Sequence, residues 1–221
     1  QEEALHQLSA LAGEEDFETL LLWGKYYESM SDYEQAKTII EQALSNAQHQ
    51  NDGPGKARCL NELGMIAWRR GEYDEAGDAY VSALAETVLT GNMASAIEAE
   101  SHYGLGLLYR QRGNFEEAQS QFQQCLIINR ELSNKQFEAR TLNALGVMEN
   151  LRRNFHEAIG NYEEALALRQ LIGDRSGVST SLFNIAQSLC GIGHHDRAEQ
   201  MLQRAIRIQQ SIADPWWEAH T

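Results

Sequence analysis

The stretch Ala139-Arg140-Thr141-Leu142-Asn143-Ala144-Leu145-Gly146-Val147 decides the fold, because its pattern occurs five times along the chain. Its centre, Ala144-Leu145-Gly146, returns as Leu22-Trp23-Gly24, Glu62-Leu63-Gly64, Gly104-Leu105-Gly106 and Asn184-Ile185-Ala186. In chain order the final residues of the five triplets lie 40, 42, 40 and 40 positions apart. An alanine follows each by twelve residues: Ala36, Ala76, Ala118, Ala158 and Ala198. Four further on stands a large apolar residue (Ile40, Tyr80, Phe122, Tyr162, Leu202), and three beyond that a small one (Ala43, Ala83, Cys125, Ala165, Ala205). Recurrence at a fixed period is the signature of a repeat architecture.

Each column has a physical role. Small residues let two helix backbones approach, and the large residues between them fill the grooves. Seven residues after the first small position come Ser31, Gly71, Gly113, Arg153 and Gly193, where a turn is expected. Glycine suits such a helix end because it adopts the left-handed conformation at no steric cost. Arg153 departs from that and predicts a strained or wider turn. Apolar residues fall at the i, i+3, i+4, i+7 spacing of amphipathic helices, as Ala139, Leu142, Leu145 and Val147 illustrate. The expected helices are 15–30 and 33–49, 56–70 and 73–90, 96–112 and 115–132, 136–152 and 155–171, 177–191 and 195–212. Breakers separate the pairs: Asn51-Asp52-Gly53-Pro54-Gly55, Gly91-Asn92, Ser133-Asn134 and Gly173-Asp174. The two extra residues of the third repeat are placed in the 90–95 connection, where added length costs little.

Composition agrees. Hydrophobic residues are 43% of the 221, enough for a continuous core, and only two prolines, Pro54 and Pro215, interrupt a chain rich in helix formers. The formal net charge of −14 argues against nucleic acid as a partner. Cys59, Cys125 and Cys190 are odd in number and far apart, which reads as free thiols in a reducing, cytoplasmic setting. No apolar run reaches the length of a membrane span, so no membrane partner is expected.

These columns resemble the tetratricopeptide repeat, in a subclass with a period near 40 rather than 34. Similar repeats occur in kinesin light chain, in Leu-Gly-Asn repeat scaffolds, and in sensor arms of bacterial signal-transduction ATPases and transcription activators. The stretch Ala165-Leu166-Ala167-Leu168-Arg169-Gln170-Leu171-Ile172-Gly173-Asp174-Arg175 looks most like the last type. The resemblance implies an all-α fold, a right-handed superhelical solenoid of antiparallel helix pairs with about five repeats: 15–53, 54–93, 94–134, 135–174 and 175–213. Residues 2–13 match the end of a preceding second helix, and 215–221 the start of a following first helix, so the chain reads as a single array cut from a larger protein. Without capping helices its apolar ends would favour end-to-end self-association.

The resemblance also places the first helix of each pair on the concave wall and names the residues facing the groove. They include Glu18, Lys25 and Glu28, then Arg58, Asn61, Met65, Trp68 and Arg69, then Tyr103, Leu107 and Arg110, then Arg140, Asn143 and Asn150, and finally Thr180, Phe183, Gln187 and Cys190. Arginine and asparagine can hold carboxylates and peptide backbone, and aromatics anchor a partner at low entropy cost. Two readings of the arginines stand side by side. They bind a protein segment or peptide bearing acidic groups, or they pair with acidic residues of neighbouring helices.

Sites of chemistry are not found. His156-Glu157 lacks a second histidine four residues on, and there is no Cys-x-x-Cys. His194-His195 sits in a turn. Gly53-Pro54-Gly55-Lys56 lacks the upstream glycine and the hydroxyl residue of a phosphate loop. Cys190 reads as a packing residue more readily than as a nucleophile. No cofactor or metal is expected. The sequence therefore points to a non-catalytic interaction module of a signalling or regulatory protein. The alternatives are an arm that senses an effector or peptide and relays it to a further ATPase or DNA-binding domain, and an accessory that delivers substrate to a linked enzyme.

Overall fold

The computed structural model describes residues 17–90 and 95–213. Within them the chain is all helix: α1 Phe17–Ser29, α2 Tyr33–His49, α3 Gly53–Arg70, α4 Tyr73–Thr90, α5 Ser95–Gln111, α6 Phe115–Glu131, α7 Lys135–Leu151, α8 Phe155–Leu171, α9 Arg175–Gly191 and α10 His195–Ala213. They form two compact units, one of α1–α5 and the other of α6–α10. In the first unit α1 packs on α2 and α3 on α4. Each pair is joined to the next by second-to-first contacts (α2 with α3, α4 with α5) and by first-to-first contacts (α1 with α3, α3 with α5). The second unit repeats the arrangement with α7 on α8 and α9 on α10, α6 against α7, α8 against α9, and α7 beside α9. The readings of residues 2–13 and 215–221, and of the Gly91-Asn92 connection, lie outside the described residues.

Small-to-large matching drives this packing. A Cβ placed at Gly64 would come to 2.8 Å of the Tyr80 ring, and at Gly104 closer still, so Tyr80 fills the space that two glycines on α3 and α5 leave open. A Cβ at Gly146 would meet the Tyr162 ring at 2.5 Å. In the last pair the small residue has become Ala186 and the large one Leu202, so the extra methyl and the smaller partner change together. Ala36, Ala43, Ala76, Ala83, Ala158 and Ala165 are wholly buried, as are Ile40, Tyr80 and Tyr162.

All five turn positions are left-handed: Ser31, Gly71, Gly113, Arg153 and Gly193 have φ between 62° and 82°. Arg153 corrects the expectation of a wider turn. Its amide donates to Asn150 O at 3.1 Å and the next amide to Glu149 O at 2.9 Å, the same closure as Gly71 to Trp68 and Glu72 to Ala67. Its guanidinium lies over the Phe155 ring, 5.8 Å from the centroid, a contact that helps offset the Cβ penalty. Helix α3 begins three residues before the expected 56. Asp52 accepts from Gly55 N at 3.0 Å and caps the helix, and Pro54 fits its first turn, where no N–H is needed.

Acidic residues stand in the first turns of the second helices, where they oppose the positive end of the helix dipole, and some of them also pair with arginines. Glu34, Asp74 and Glu116 each receive an arginine from the end of the next first helix: Arg70 at 2.6 Å, Arg112 at 2.5 Å and Arg152 at 3.8 Å. These exposed staples tie the first three pairs to their successors and carry modest energy individually.

Candidate functional site

The residues expected to face a groove sit on α1, α3, α5, α7 and α9, and the two units present them differently. In the first unit the faces of α1 and α3 are joined by three ion pairs. Arg58 donates to Glu18 through its two terminal guanidinium nitrogens, at 2.5 and 3.0 Å; Lys25 meets Glu62 at 2.9 Å; Arg69 Nε meets Glu28 at 2.7 Å. The hydrogen bond from Arg58 holds the Glu18 carboxyl below its ordinary range. Burial works against the Lys25 ammonium, yet Glu62 outweighs it and keeps that group above its usual value.

Asn61 is buried and works between helices. Its amide donates to Ile97 O at 3.0 Å, and its carbonyl accepts from Ser101 at 2.8 Å, so α3 and α5 are joined through one side chain. Tyr103 and Leu107 are also buried, while Met65, Trp68 and Arg110 are half-buried. The Trp68 side chain packs against the core cluster of Ala67, Ala76, Tyr80, Leu105 and Leu108, with its indole N–H buried and without an acceptor.

The second unit offers amides instead. Asn184 on α9 donates to Asn143 on α7 at 2.9 Å. Asn150 accepts from Ser188 at 3.1 Å and faces Gln187 at 3.4 Å. Asn143 and Asn150 are half-buried and Gln187 exposed, so part of each amide's bonding capacity still faces outward. Arg140 is exposed and stacks over Phe137, 5.4 Å from its centroid, and Leu151 and Phe183 are 60% and 55% exposed. Asn143 and Asn150 are seven residues apart on one helix, about 10 Å of rise. That is close to the length of three residues of extended chain.

The structure thus brings Arg58 and Arg69 together with acidic neighbours, the second of the two readings of those arginines. Sequence reasoning named Lys25, Glu18 and Glu28 as groove-facing without pairing them and did not place Glu62 there, although Glu18–Arg58 and Glu28–Arg69 are 40 and 41 residues apart, about one repeat. Cys190 is exposed, which corrects its reading as a packing residue. Cys59 and Cys125 are buried free thiols, and burial pushes Cys59 up to about 12, far from a reactive thiolate. Among the described residues no group of three His, Cys, Asp or Glu side chains could hold a metal ion, and no helix is long and apolar enough to cross a membrane.

Comparison with known proteins agrees with this architecture. The sequence profile of the tetratricopeptide repeat matches residues 15–85, 97–170 and 137–211. Comparison with curated protein sequences returns no match. Among solved structures, BtubC (BKLC) from P. vanneervenii superposes with a TM-score of 0.77 at 22% identity, over 96% of this chain and 88% of that one. A putative kinesin light chain of Podosopora anserina, built of nearly identical TPR-like repeats, gives 0.68 at 16% identity, over 89% and 95%. The Rap conjugation gene regulator of plasmid pLS20, in complex with the Phr* peptide, gives 0.74 at 14% identity. This chain is covered over 90% there, but spans just over half of that regulator, 54% of its length.

Proposed function

The chain belongs to the tetratricopeptide-repeat family, and we propose that it is a non-catalytic module that binds a protein segment or peptide along its first-helix faces. The observation that carries this reading is the partly exposed amide set of α7 and α9, flanked by exposed Leu151 and Phe183. Amides donate and accept, so they can hold backbone of any sequence, while the apolar flanks and Arg140 select side chains. Acidic groups on the segment would meet the exposed Arg140 guanidinium where it lies over Phe137. At α3 they would first have to displace Glu18 and Glu28 from Arg58 and Arg69, so charge recognition there is an exchange of partners rather than a new contact.

A second reading has its own support. The Rap regulator that superposes on this chain is in complex with a peptide and is nearly twice as long as the match. On that analogy the array is a sensing arm of a longer signalling or regulatory protein, relaying a bound peptide to a further domain.

The test is selection from a displayed peptide library on the intact chain, followed by affinity measurement with two variants. Asn143→Ala with Asn150→Ala should weaken a selected peptide about tenfold or more, the equivalent of roughly 1.4 kcal/mol. Glu18→Gln with Glu28→Gln should leave neutral peptides unchanged and strengthen acidic ones. Peptides that ignore the amide variant would move the binding face elsewhere.

A further inference from the structure

The outward face of α4 departs from those of the other second helices. Val81 stands where they carry Glu41, Gln123, Glu163 and Gln203, and Val88 where they carry Gln48, Arg130, Gln170 and Gln210. Val81 is 57% exposed, Val88 80% and the neighbouring Leu89 81%. Ala85, also exposed, lies between them, so the four form one stripe at helical spacing. Single apolar residues on a surface are ordinary, whereas a continuous stripe marks a place of contact.

Beside the stripe a notch of about 370 Å³ opens between α4 and α5, with Gly77 and Val81 on one side and Leu105, Leu108 and Tyr109 on the other. Gly77 keeps it open. A Cβ there would already come to 3.1 Å of a Leu108 methyl carbon, so the leucines are reached only because no side chain stands at that position. One repeat earlier Leu63 and Ile66 take the places of Leu105 and Leu108, and Lys37 and Glu41 those of Gly77 and Val81. The notch they line is smaller, about 140 Å³.

The surroundings are acidic. Asp74 and Asp78 border the notch, Arg112 is held by Asp74 at 2.5 Å, and α4 carries Asp74, Glu75, Asp78 and Glu86 without one basic residue. We propose that the α4/α5 face docks a basic amphipathic helix of another protein. Its apolar side lies on Val81 and Val88 with one side chain seated over Leu105 and Leu108, and its lysines or arginines meet Asp74 and Asp78. Charge decides the occupant. A second copy would set the four carboxylates of α4 against the same four, whereas a cationic helix is drawn to a chain of net charge −14. This surface uses none of the α7 and α9 residues, so it stands whether or not those hold a peptide.

The probe is a synthetic amphipathic peptide of leucine and lysine, about 14 residues long to run most of the length of α4, titrated into the full chain by calorimetry. Two controls carry glutamate for lysine and serine for leucine. The leucine–lysine peptide should bind at least about tenfold more tightly than either control. Gly77→Gln, Val81→Gln and Val88→Gln together, glutamine being what α6 or α8 carries in these columns, should weaken it about tenfold. Asp74→Asn with Asp78→Asn should weaken it less and flatten its dependence on salt. Should the triple variant lose helicity by circular dichroism, Val81→Gln alone, at an exposed position, reads the same loss. Absence of binding overturns the proposal. Equal binding of the serine–lysine peptide, or affinity that the glutamines leave unchanged, also overturns it, because net charge alone then attracts the probe. Self-association in sedimentation that the glutamines abolish overturns it as well, by making a second copy the occupant.

Discussion

Between α1 and α3 the first-helix faces are joined by Glu18–Arg58, Lys25–Glu62 and Glu28–Arg69, whereas between α7 and α9 they are joined by Asn143–Asn184 and by Asn150 with Ser188 and Gln187. Both steps lie on first-helix faces and share some columns of the repeat (Lys25 with Gln187, Glu28 with Asn150, Glu62 with Asn184), yet one is ionic and the other neutral. The backbone spacing is set underneath by Gly24 against Ile40 and Gly146 against Tyr162, which leaves the surface columns free to vary. Variation in those columns is what a repeat protein uses to tell partners apart, because the scaffold tolerates either chemistry. An ionic face is closed to charge unless a pair is broken. An amide face with spare donors and acceptors is open to backbone.

The largest expected effect lies in that shared underlayer. Gly146→Ala pushes a methyl into the Tyr162 ring, which is rigid and wholly buried, and should destabilise the chain by about 1–3 kcal/mol in chemical denaturation. Adding Tyr162→Leu should recover part of that loss, since Ala186 with Leu202 is the same pairing one repeat later. Gly24→Ala should cost less, because the atoms it meets are the end of the Ile40 side chain, which can rotate. Equal losses at the two glycines would show that the steps differ beneath the surface as well.

A smaller effect separates the two kinds of connector. Asn61→Ala removes a buried amide that joins α3 to α5 and leaves Ser101 and the Ile97 carbonyl only their bond to each other within α5, which should cost about 1–1.5 kcal/mol, with little dependence on salt. Arg58→Ala should cost no more than about 1 kcal/mol and lose even that at high salt, because the Glu18 pair is exposed. If Arg58→Ala proves the costlier of the two, the ionic ladder holds the first unit together rather than decorating it.

The fold could be read from the sequence because it rests on columns that tolerate few residue types. Gly64 and Gly146 are legible since nothing larger fits against Tyr80 and Tyr162. Pro54 misled the start of α3, as a proline in the first turn looks the same in sequence as one in a loop. Arg153 misled in the opposite direction: a non-glycine residue took the left-handed position with the turn unchanged, helped by its stack on Phe155. The candidate site was half legible. Register placed Asn143, Asn150 and Phe183 on a common face, but whether Arg58 faces a partner or a neighbour depends on a rotamer and on a residue 40 positions away. Tyr103 and Leu107 share the groove columns by period and are nevertheless buried. Period fixes direction from the helix axis and says nothing of what lies over it.

The finest distinction between the two steps should appear on acidification. Glu18 has a folded pKa below its unfolded value, owing first to the hydrogen bond from Arg58, so its contribution is fully present above about pH 4.3 and is lost as pH falls through the folded value. With the group mostly exposed, the loss amounts to a few tenths of a kcal/mol. Amide exchange protection in α1, corrected for intrinsic rates, should therefore fall between pH 5 and pH 3, and should fall similarly at pH 7 when salt is raised. Protection in α7 and α9 should change less, since neutral amides carry their step. Glu18→Gln should remove most of the acid-dependent change in α1 and leave the second unit alone. Were α1 to keep its protection through both treatments, the ion pairs would be ornaments on a contact made by Leu21 and Ile40, and the ionic face would be as free to take a partner as the amide one.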